Sequence, residues 1–208
     1  IGIGICHLLM AFLVLWNRAR TTRIAADQPL PADPPAVYVL VPARNEESNI
    51  GTCLTALRAQ DYPNLRIRVI DDHSSDRTAA IVQEHAKEDP RVELRSAPDL
   101  PKGWLGKPHA LWSGSRDLDS EYVLFLDADV RLRPHAVRKA TLAALSSDAG
   151  LVNMVPRMLA ESFWERAAQP VISQILFTFV DPVRVRDSDS DFAVGYGPFM
   201  FFQRTAYE

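Results

Sequence analysis

The chain has 208 residues, 47% of them hydrophobic and 24% charged, enough for one sizeable globular domain with its own core. A formal net charge of -3 argues against a general nucleic-acid binder, and no nucleic-acid partner is expected. Cys6 lies in an apolar run and Cys53 in a predicted helix, and the five histidines lack paired ligand spacing, so neither a disulfide nor a zinc site is expected.

Ile1 to Trp16 is almost wholly apolar. A helix over this run spans about 24 Å, short of the roughly 30 Å hydrocarbon core, and fits the tail of a longer membrane helix. Arg18, Arg20 and Arg23 precede the first acidic residue, Asp27, so the positive-inside rule places the following domain in the cytoplasm. Residues 1–23 are therefore expected to form a membrane anchor. The chain starts at Ile1, not Met, and is expected to be a fragment at both ends. Residues 24–36 are rich in proline and read as a stiff linker.

From Val37 the pattern alternates between strand and helix. Val37 to Val41 is a predicted strand, and a helix follows to about Gln60 with Ile50, Leu54 and Leu57 at helical spacing. Ile67 to Ile70 is the second strand, and Ser74, Ser75 or Asp76 caps a helix to about Lys87. Val92 to Ser96 is the third. A loop from Ala97 to Lys107 leads into a helix from Pro108 to about Leu118. Tyr122 to Leu126 is the fourth strand, Pro134 to Leu145 a helix, and Leu151 to Val155 the fifth strand. This alternation predicts an α/β fold, a Rossmann-like and mostly parallel sheet flanked by helices, over residues 37–155. Residues 156–208 are expected to be a partial acceptor-side region. Within it Val171 to Val180 is too short to span a bilayer and reads as an interfacial or a core helix.

Four polar clusters fall at or near the carboxyl ends of predicted strands, where open α/β sheets bind ligands. They are Pro42 to Glu46, Asp71 to Asp76, the loop ending in Lys107, and Asp127 to Asp129. Asp127 and Asp129 either sit in a turn or aim two carboxylates at one hard cation beneath a diphosphate. Arg44 is a planar donor for base or phosphate. Asp72 can accept hydrogen bonds from uracil or ribose. Lys107, just ahead of a predicted helix start, can meet phosphate together with helix N–H groups. Trp104 either stacks on a sugar, seals a lid or tucks onto the core.

Val41-Pro42-Ala43-Arg44-Asn45-Glu46, Gln60-Asp61-Tyr62-Pro63, Asp71-Asp72-His73-Ser74-Ser75-Asp76 and Asp127-Ala128-Asp129 together resemble family-2 glycosyltransferases of the inverting, GT-A type. Leu100-Pro101-Lys102-Gly103-Trp104-Leu105-Gly106-Lys107 resembles, more narrowly, the hopanoid-biosynthesis-associated membrane glycosyltransferases. The resemblance implies transfer from a UDP-sugar with inversion, assisted by Mn²⁺ or Mg²⁺, to an acceptor that a membrane anchor makes plausible as a lipid. It implies that Pro42, Arg44, Glu46 and Asp72 line the nucleoside pocket. Lys107, Asp127 and Ala128 join them as donor-binding residues. Asp129 is the implied chief metal ligand, with Asp127 near ribose or metal.

The general base of the family follows its acceptor segment, which Gly195 to Tyr207 resembles, so the base is expected beyond Glu208. Asp187, Asp189 and Asp191 are candidates by charge alone. A rival reading is a non-catalytic, membrane-anchored module that binds nucleotide sugar. A receiver domain is disfavoured because Pro42-Ala43-Arg44, not an acidic pair, closes the first strand. A nucleotidyltransferase is disfavoured by the lack of a glycine-rich loop there.

Overall fold

The structure, a computed structural model, describes residues 12, 13, 15, 16, 19, 20, 28–154, 159, 162–169, 178, 180, 181, 183–187 and 189–207. The chain divides into two compact units, one of residues 24–156 with 196–208 and one of residues 1–23 with 157–195.

The larger unit runs β1 (Val37–Ala43), α1 (Ile50–Arg58), β2 (Leu65–Asp71), α2 (Thr78–Glu88), β3 (Val92–Ser96), α3 (Gly106–Ser115), β4 (Tyr122–Leu126), α4 (Ala136–Ser147), β5 (Leu151–Asn153), β6 (Phe199–Gln203) and α5 (Arg204–Tyr207). The sheet order is β3-β2-β1-β4-β6-β5. β1 pairs in parallel with β2 and β4, and β2 with β3. β6 lies antiparallel between β4 and β5.

Both faces of the sheet are covered, as expected for a largely parallel sheet of apolar strands. Val37, Val39, Val41 and Ala43 of β1 pack with Tyr122, Leu124 and Leu126 of β4 against the helix side chains Ile50, Leu54, Leu57, Val82 and Val137. Leu40 of β1 and Val123 and Phe125 of β4 face the other way, against Ala110 and Leu111 of α3. The alternation along each strand follows from the period of two. Thus α1, α2 and α4 cover one face and α3 covers the other.

The sequence places the first four strands and their helices within a few residues. It does not anticipate β6, which makes the far side of the sheet mixed rather than parallel. Helix starts shift slightly, and the helix expected from Pro134 begins at Ala136. α3 begins two residues before Pro108, because extended Leu105 (φ -96, ψ 147) supplies the carbonyl that the His109 N–H bonds at 3.1 Å. Pro108 is tolerated in the first turn, where its missing N–H has no intrahelical partner to lose. α2 begins at Thr78, whose N–H donates to Asp76 Oδ1 at 2.9 Å, so Asp76 caps from just outside the helix.

Gln28 to Ala36, without regular structure, is tied to the α/β body. The Tyr62 hydroxyl donates to the Pro35 carbonyl at 2.7 Å, and the Ala36 N–H donates to Glu121 at 2.7 Å. Among the described residues no helix is long and apolar enough to cross a membrane. Most of the expected anchor, and the Val171-to-Val180 run apart from Thr178 and Val180, lie outside the described residues. In the smaller unit, residues 163–169 are helical and Arg184–Arg186 form a 3-10 turn.

One charged clamp ties α1, α2 and β3 together. Asp89 accepts from Arg91 Nη2 at 2.8 Å and from the Arg91 N–H at 3.0 Å, while Arg91 Nη2 donates to the Arg58 carbonyl at 2.8 Å. The Arg91 side-chain hydrogen bonds hold the Asp89 carboxyl down at about 2 against its burial. The folded value lies below the unfolded one. Its stabilisation is therefore full above the unfolded value of about 4 and is lost as pH falls through about 2. Asp89→Asn is expected to lower stability at neutral pH by on the order of 2 kcal/mol and to flatten the acid limb of the stability curve. Denaturant unfolding at neutral and acid pH checks this; equal losses at both would refute it.

Candidate functional site

β1 and β2 remain paired to the end, at Ala43 opposite Asp71, but β1 and β4 pair only as far as Leu40 opposite Phe125. Beyond that point the two central strands part. A cleft of about 390 Å³ opens between them. Pro42, Ala43, Arg44 and Glu46 line it from the end of β1, Asp72 from β2, Gly106, Lys107 and Ala110 from α3, and Asp127, Ala128 and Asp129 from the turn after β4. Every donor-site and metal-site residue predicted from sequence thus faces one cleft: Pro42, Arg44, Glu46, Asp72, Lys107, Asp127, Ala128 and Asp129.

The loops after β1 and β2 hold each other in place. The Asn45 N–H donates to Ser74 Oγ at 2.9 Å, and Asn45 Oδ1 accepts from the Ser75 N–H at 2.8 Å. The Glu46 N–H donates to Thr78 Oγ1 at 2.8 Å, the Glu47 N–H to Asp76 at 3.1 Å, and the Arg77 N–H to Glu47 at 3.1 Å. Asn45 (φ 55) and His73 (φ 57) both take the left-handed conformation that such tight loops need. Asn and His are among the residues enriched there. This reciprocal lacing fixes the backbone on either side of Arg44 and Asp72. Their side chains meet at 3.4 Å, with Asp72 largely buried and Arg44 exposed.

At the other wall, Lys107 forms an ion pair with Asp127 Oδ1. Lys107 stands in the first turn of α3 rather than ahead of it. After β4 the chain turns, with the Val130 N–H bonding the Asp127 carbonyl at 3.1 Å. Ala128 is buried between the two carboxylates. Asp129 is exposed, and no hydrogen bond or ion pair engages its carboxylate among the described residues.

The donor set suits a hard cation that shares its shell with a ligand. All the candidate groups are oxygens, and acids outnumber bases in the cleft. Buried Cys53 reports that field: its thiol donates to the Asp127 carbonyl at 3.9 Å, and its pKa is pushed up to about 12, first by burial and then by Asp129, Glu46 and Asp127. No group of three or more His, Cys, Asp or Glu side chains among the described residues forms a metal cage. The protein would therefore supply one or two carboxylates, with phosphate oxygens and water completing the shell, as is usual for Mg²⁺. Lys107 must yield Asp127 for that carboxylate to take part.

Some expectations change. Trp104 does not line the cleft; it packs on His109 and Trp112. Asp187, Asp189 and Asp191 are exposed loop residues of the smaller unit, and no general base is assigned to them. Gly106 was not singled out by sequence. A Cβ there would come within 2.8 Å of Asp72 Oδ2, so the missing side chain is what lets α3 approach the acidic pocket. Its only signal in the sequence is a glycine at the start of a helix.

The family model for glycosyl transferase family 2 matches residues 38–208. The 4,4'-diaponeurosporenoate glycosyltransferase of Staphylococcus aureus (strain MRSA252) is 31% identical over 132 residues, which cover 62% of this chain and 34% of the relative. The chain thus spans about a third of the length of the curated relatives it matches. Among solved structures, the mannosyltransferase PcManGT from Pyrobaculum calidifontis, in complex with GDP-Man and Mn²⁺, gives a TM-score of 0.65 at 25% identity, over 99% of this chain and 55% of that one. The glucosyl-3-phosphoglycerate synthase of Mycobacterium tuberculosis shares the fold, with a TM-score of 0.54 at 18% identity over 82% of this chain and 57% of that one.

Burial and the surrounding acids make Cys53 a poor nucleophile. In a Cys6→Ser variant, Cys53 is expected to react with thiol reagents at mildly alkaline pH more than roughly a hundredfold slower than a free thiol, and at full rate once unfolded. Native labelling at the free-thiol rate would refute the burial of Cys53.

Proposed function

The chain belongs to glycosyltransferase family 2, and we propose that its cleft holds the nucleoside diphosphate of a sugar-nucleotide donor whose sugar passes to an acceptor hydroxyl. The observation that carries this reading is the convergence of Arg44, Asp72, Lys107, Asp127 and Asp129 on one cleft at the parting of β1 and β4. Asp72, held by Arg44, accepts hydrogen bonds from the nucleoside. Lys107 exchanges Asp127 for a phosphate oxygen, and the amino end of α3 adds its dipole. A bound Mn²⁺ or Mg²⁺ would stabilise the charge that grows on the leaving diphosphate as a Lewis acid. Asp129, with Asp127, would hold it.

UDP is our choice of nucleotide, on the family resemblance of the β1 and β2 loops. The GDP-Man of the Pyrobaculum structure makes GDP the competitor. In-line attack with inversion follows from the same resemblance. The Staphylococcus aureus relative is, by its name, a 4,4'-diaponeurosporenoate glycosyltransferase; an acceptor carried in a lipid phase fits the apolar run of Ile1 to Trp16 in this chain. A membrane-anchored enzyme with its catalytic domain in the cytoplasm, and a hopanoid-type acceptor, complete the proposal. A non-catalytic nucleotide-sugar-binding module remains the alternative, since no general base is identified among the described residues.

Titration calorimetry separates the roles. UDP is expected to bind more tightly with Mn²⁺ than without, and Asp129→Ala to abolish that difference. Equal affinity with and without Mn²⁺ in the parent protein would remove the proposed role of Asp129. Lys107→Ala is expected to weaken UDP roughly 10- to 100-fold while leaving uridine nearly unchanged, the scale of a lost charge-assisted hydrogen bond. Equal weakening of both ligands would mean that Lys107 does not touch phosphate. Hydrolysis of a panel of UDP- and GDP-sugars decides between the nucleotides, and inertness to all of them favours the non-catalytic module.

A further inference from the structure

We propose that the outer face of α3, with the loop that leads into it, docks on an anionic lipid surface. All four tryptophans of the chain are exposed: Trp16 by 52%, Trp104 by 41%, Trp112 by 38% and Trp164 by 77%. Tryptophan is ordinarily well buried in a water-soluble protein. It is enriched where an apolar body meets a polar edge, as at the membrane–water boundary. Among the described residues of the α/β unit the exposed large apolar side chains are Leu100, Trp104, Leu105, Trp112 and Leu145, and all but Leu145 fall between Leu100 and Trp112.

This patch is built rather than loose. Pro101 to Trp104 forms a turn closed by the Trp104 N–H on the Pro101 carbonyl at 3.2 Å, with Gly103 at φ +90, a value that suits glycine. The turn sets the Trp104 ring against His109 and Trp112, with centroids 5.4 and 5.3 Å away. Trp112 is one turn beyond His109 on the same side of the helix, and the Arg116 guanidinium lies over its ring at 4.9 Å.

The charge around the rings points to an anionic surface. Lys102 and Arg116 flank the patch, and neither is ion-paired among the described residues. Of the acids close in the chain, Asp117 is taken up by Arg68 at 2.6 Å and Arg95 at 2.7 Å, while exposed Asp99 and Asp119 lie outside the Leu100-to-Arg116 stretch that carries the rings and these two cations. An acidic soluble partner would satisfy the two cations but leave the indoles in water. A leaflet with anionic headgroups satisfies both, since headgroups meet the cations while the rings enter the interfacial layer. The proposal needs no nucleotide chemistry. It extends the lipid-acceptor reading by naming a surface that would bring the cleft to the membrane.

The test uses the full chain carrying Trp16→Phe and Trp164→Phe, so that only Trp104 and Trp112 emit. It is mixed with vesicles of phosphatidylcholine, with or without phosphatidylglycerol, bearing brominated acyl chains. The expected result is a blue shift and bromine quenching with the anionic vesicles. Lys102→Gln and Arg116→Gln are each expected to weaken partitioning roughly fivefold at low ionic strength. Three results would overturn the proposal: no vesicle binding, binding without quenching of this emission, or partitioning unchanged by the charge substitutions. Dimerisation that buries both rings without lipid would also overturn it, in favour of a second copy as the occupant. Circular dichroism establishes that each variant is folded. UDP titration on the same samples keeps the two readings apart, because lost nucleotide binding with intact docking counts against the donor site alone.

Discussion

The structure depends on two neighbouring strands that stay paired and then separate. β1 and β4 run side by side through the core, but their pairing stops at Leu40 and Phe125, while β1 continues beside β2 to Ala43. The cause lies in the connections. α1 leaves β1 toward one face of the sheet, and α3 arrives at β4 from the other. A reversal in strand order between neighbours opens a crevice at their carboxyl ends, where no chain crosses. Each wall is then furnished from a different part of the sequence. The β1 and β2 loops supply one side, and α3 with the β4 turn supplies the other. Strand pairing in the core therefore sets the spacing of Arg44 and Asp72 from Lys107 and Asp127.

Electrostatics then limits what the crevice can hold. Both of its cations are already matched with acids, Arg44 with Asp72 and Lys107 with Asp127, and Glu46 and Asp129 add further negative charge. The Cys53 thiol is raised first by its burial and then by Asp129, Glu46 and Asp127. A diphosphate alone would meet net repulsion there. A diphosphate that brings a divalent cation would not, and Lys107 becomes free to turn toward phosphate once Asp127 has another partner. An acidic cleft is thus compatible with an anionic ligand only when positive charge arrives with it. The proposed divalent cation would bring that charge.

Much of this could be read along the chain, because the informative signals are local. Val37 to Val41 and Tyr122 to Leu126 are apolar on both faces, which marks strands covered on two sides. Asp71 and Asp72 stand at the end of β2, and Asp127 and Asp129 directly after Tyr122 to Leu126. What the sequence hides depends on residues distant in the chain. Phe199–Gln203 is as apolar as the other strands, but its place between β4 and β5 is fixed only by tertiary pairing. Gly106 is needed because of Asp72, and Asn45 because of Ser74 and Ser75. No local pattern encodes those partners. Pro108 misplaced the start of α3 because proline suits any position in a first turn, and only the extended Leu105 decides between them.

α3 links the two surfaces to which functions are ascribed. Gly106, Lys107 and Ala110 line the cleft, while His109, Trp112 and Arg116 carry the aromatic patch. The helix has little freedom to roll between them. At its far end Gly114 sits so close to β2 that a Cβ would come within 2.7 Å of Ile70, and its carbonyl accepts from the buried Arg68 at 2.6 Å. Arg68 thereby satisfies one of the free carbonyls at a helix end and places positive charge at the negative end of the dipole. A helix pinned at one end and contacting Asp72 at the other transmits position rather than absorbing it. If the indoles rest in a headgroup layer, the same rigid element fixes the height of Lys107 above that layer. An acceptor hydroxyl held at the lipid boundary would then meet the donor at a distance set by one helix, with no moving part required.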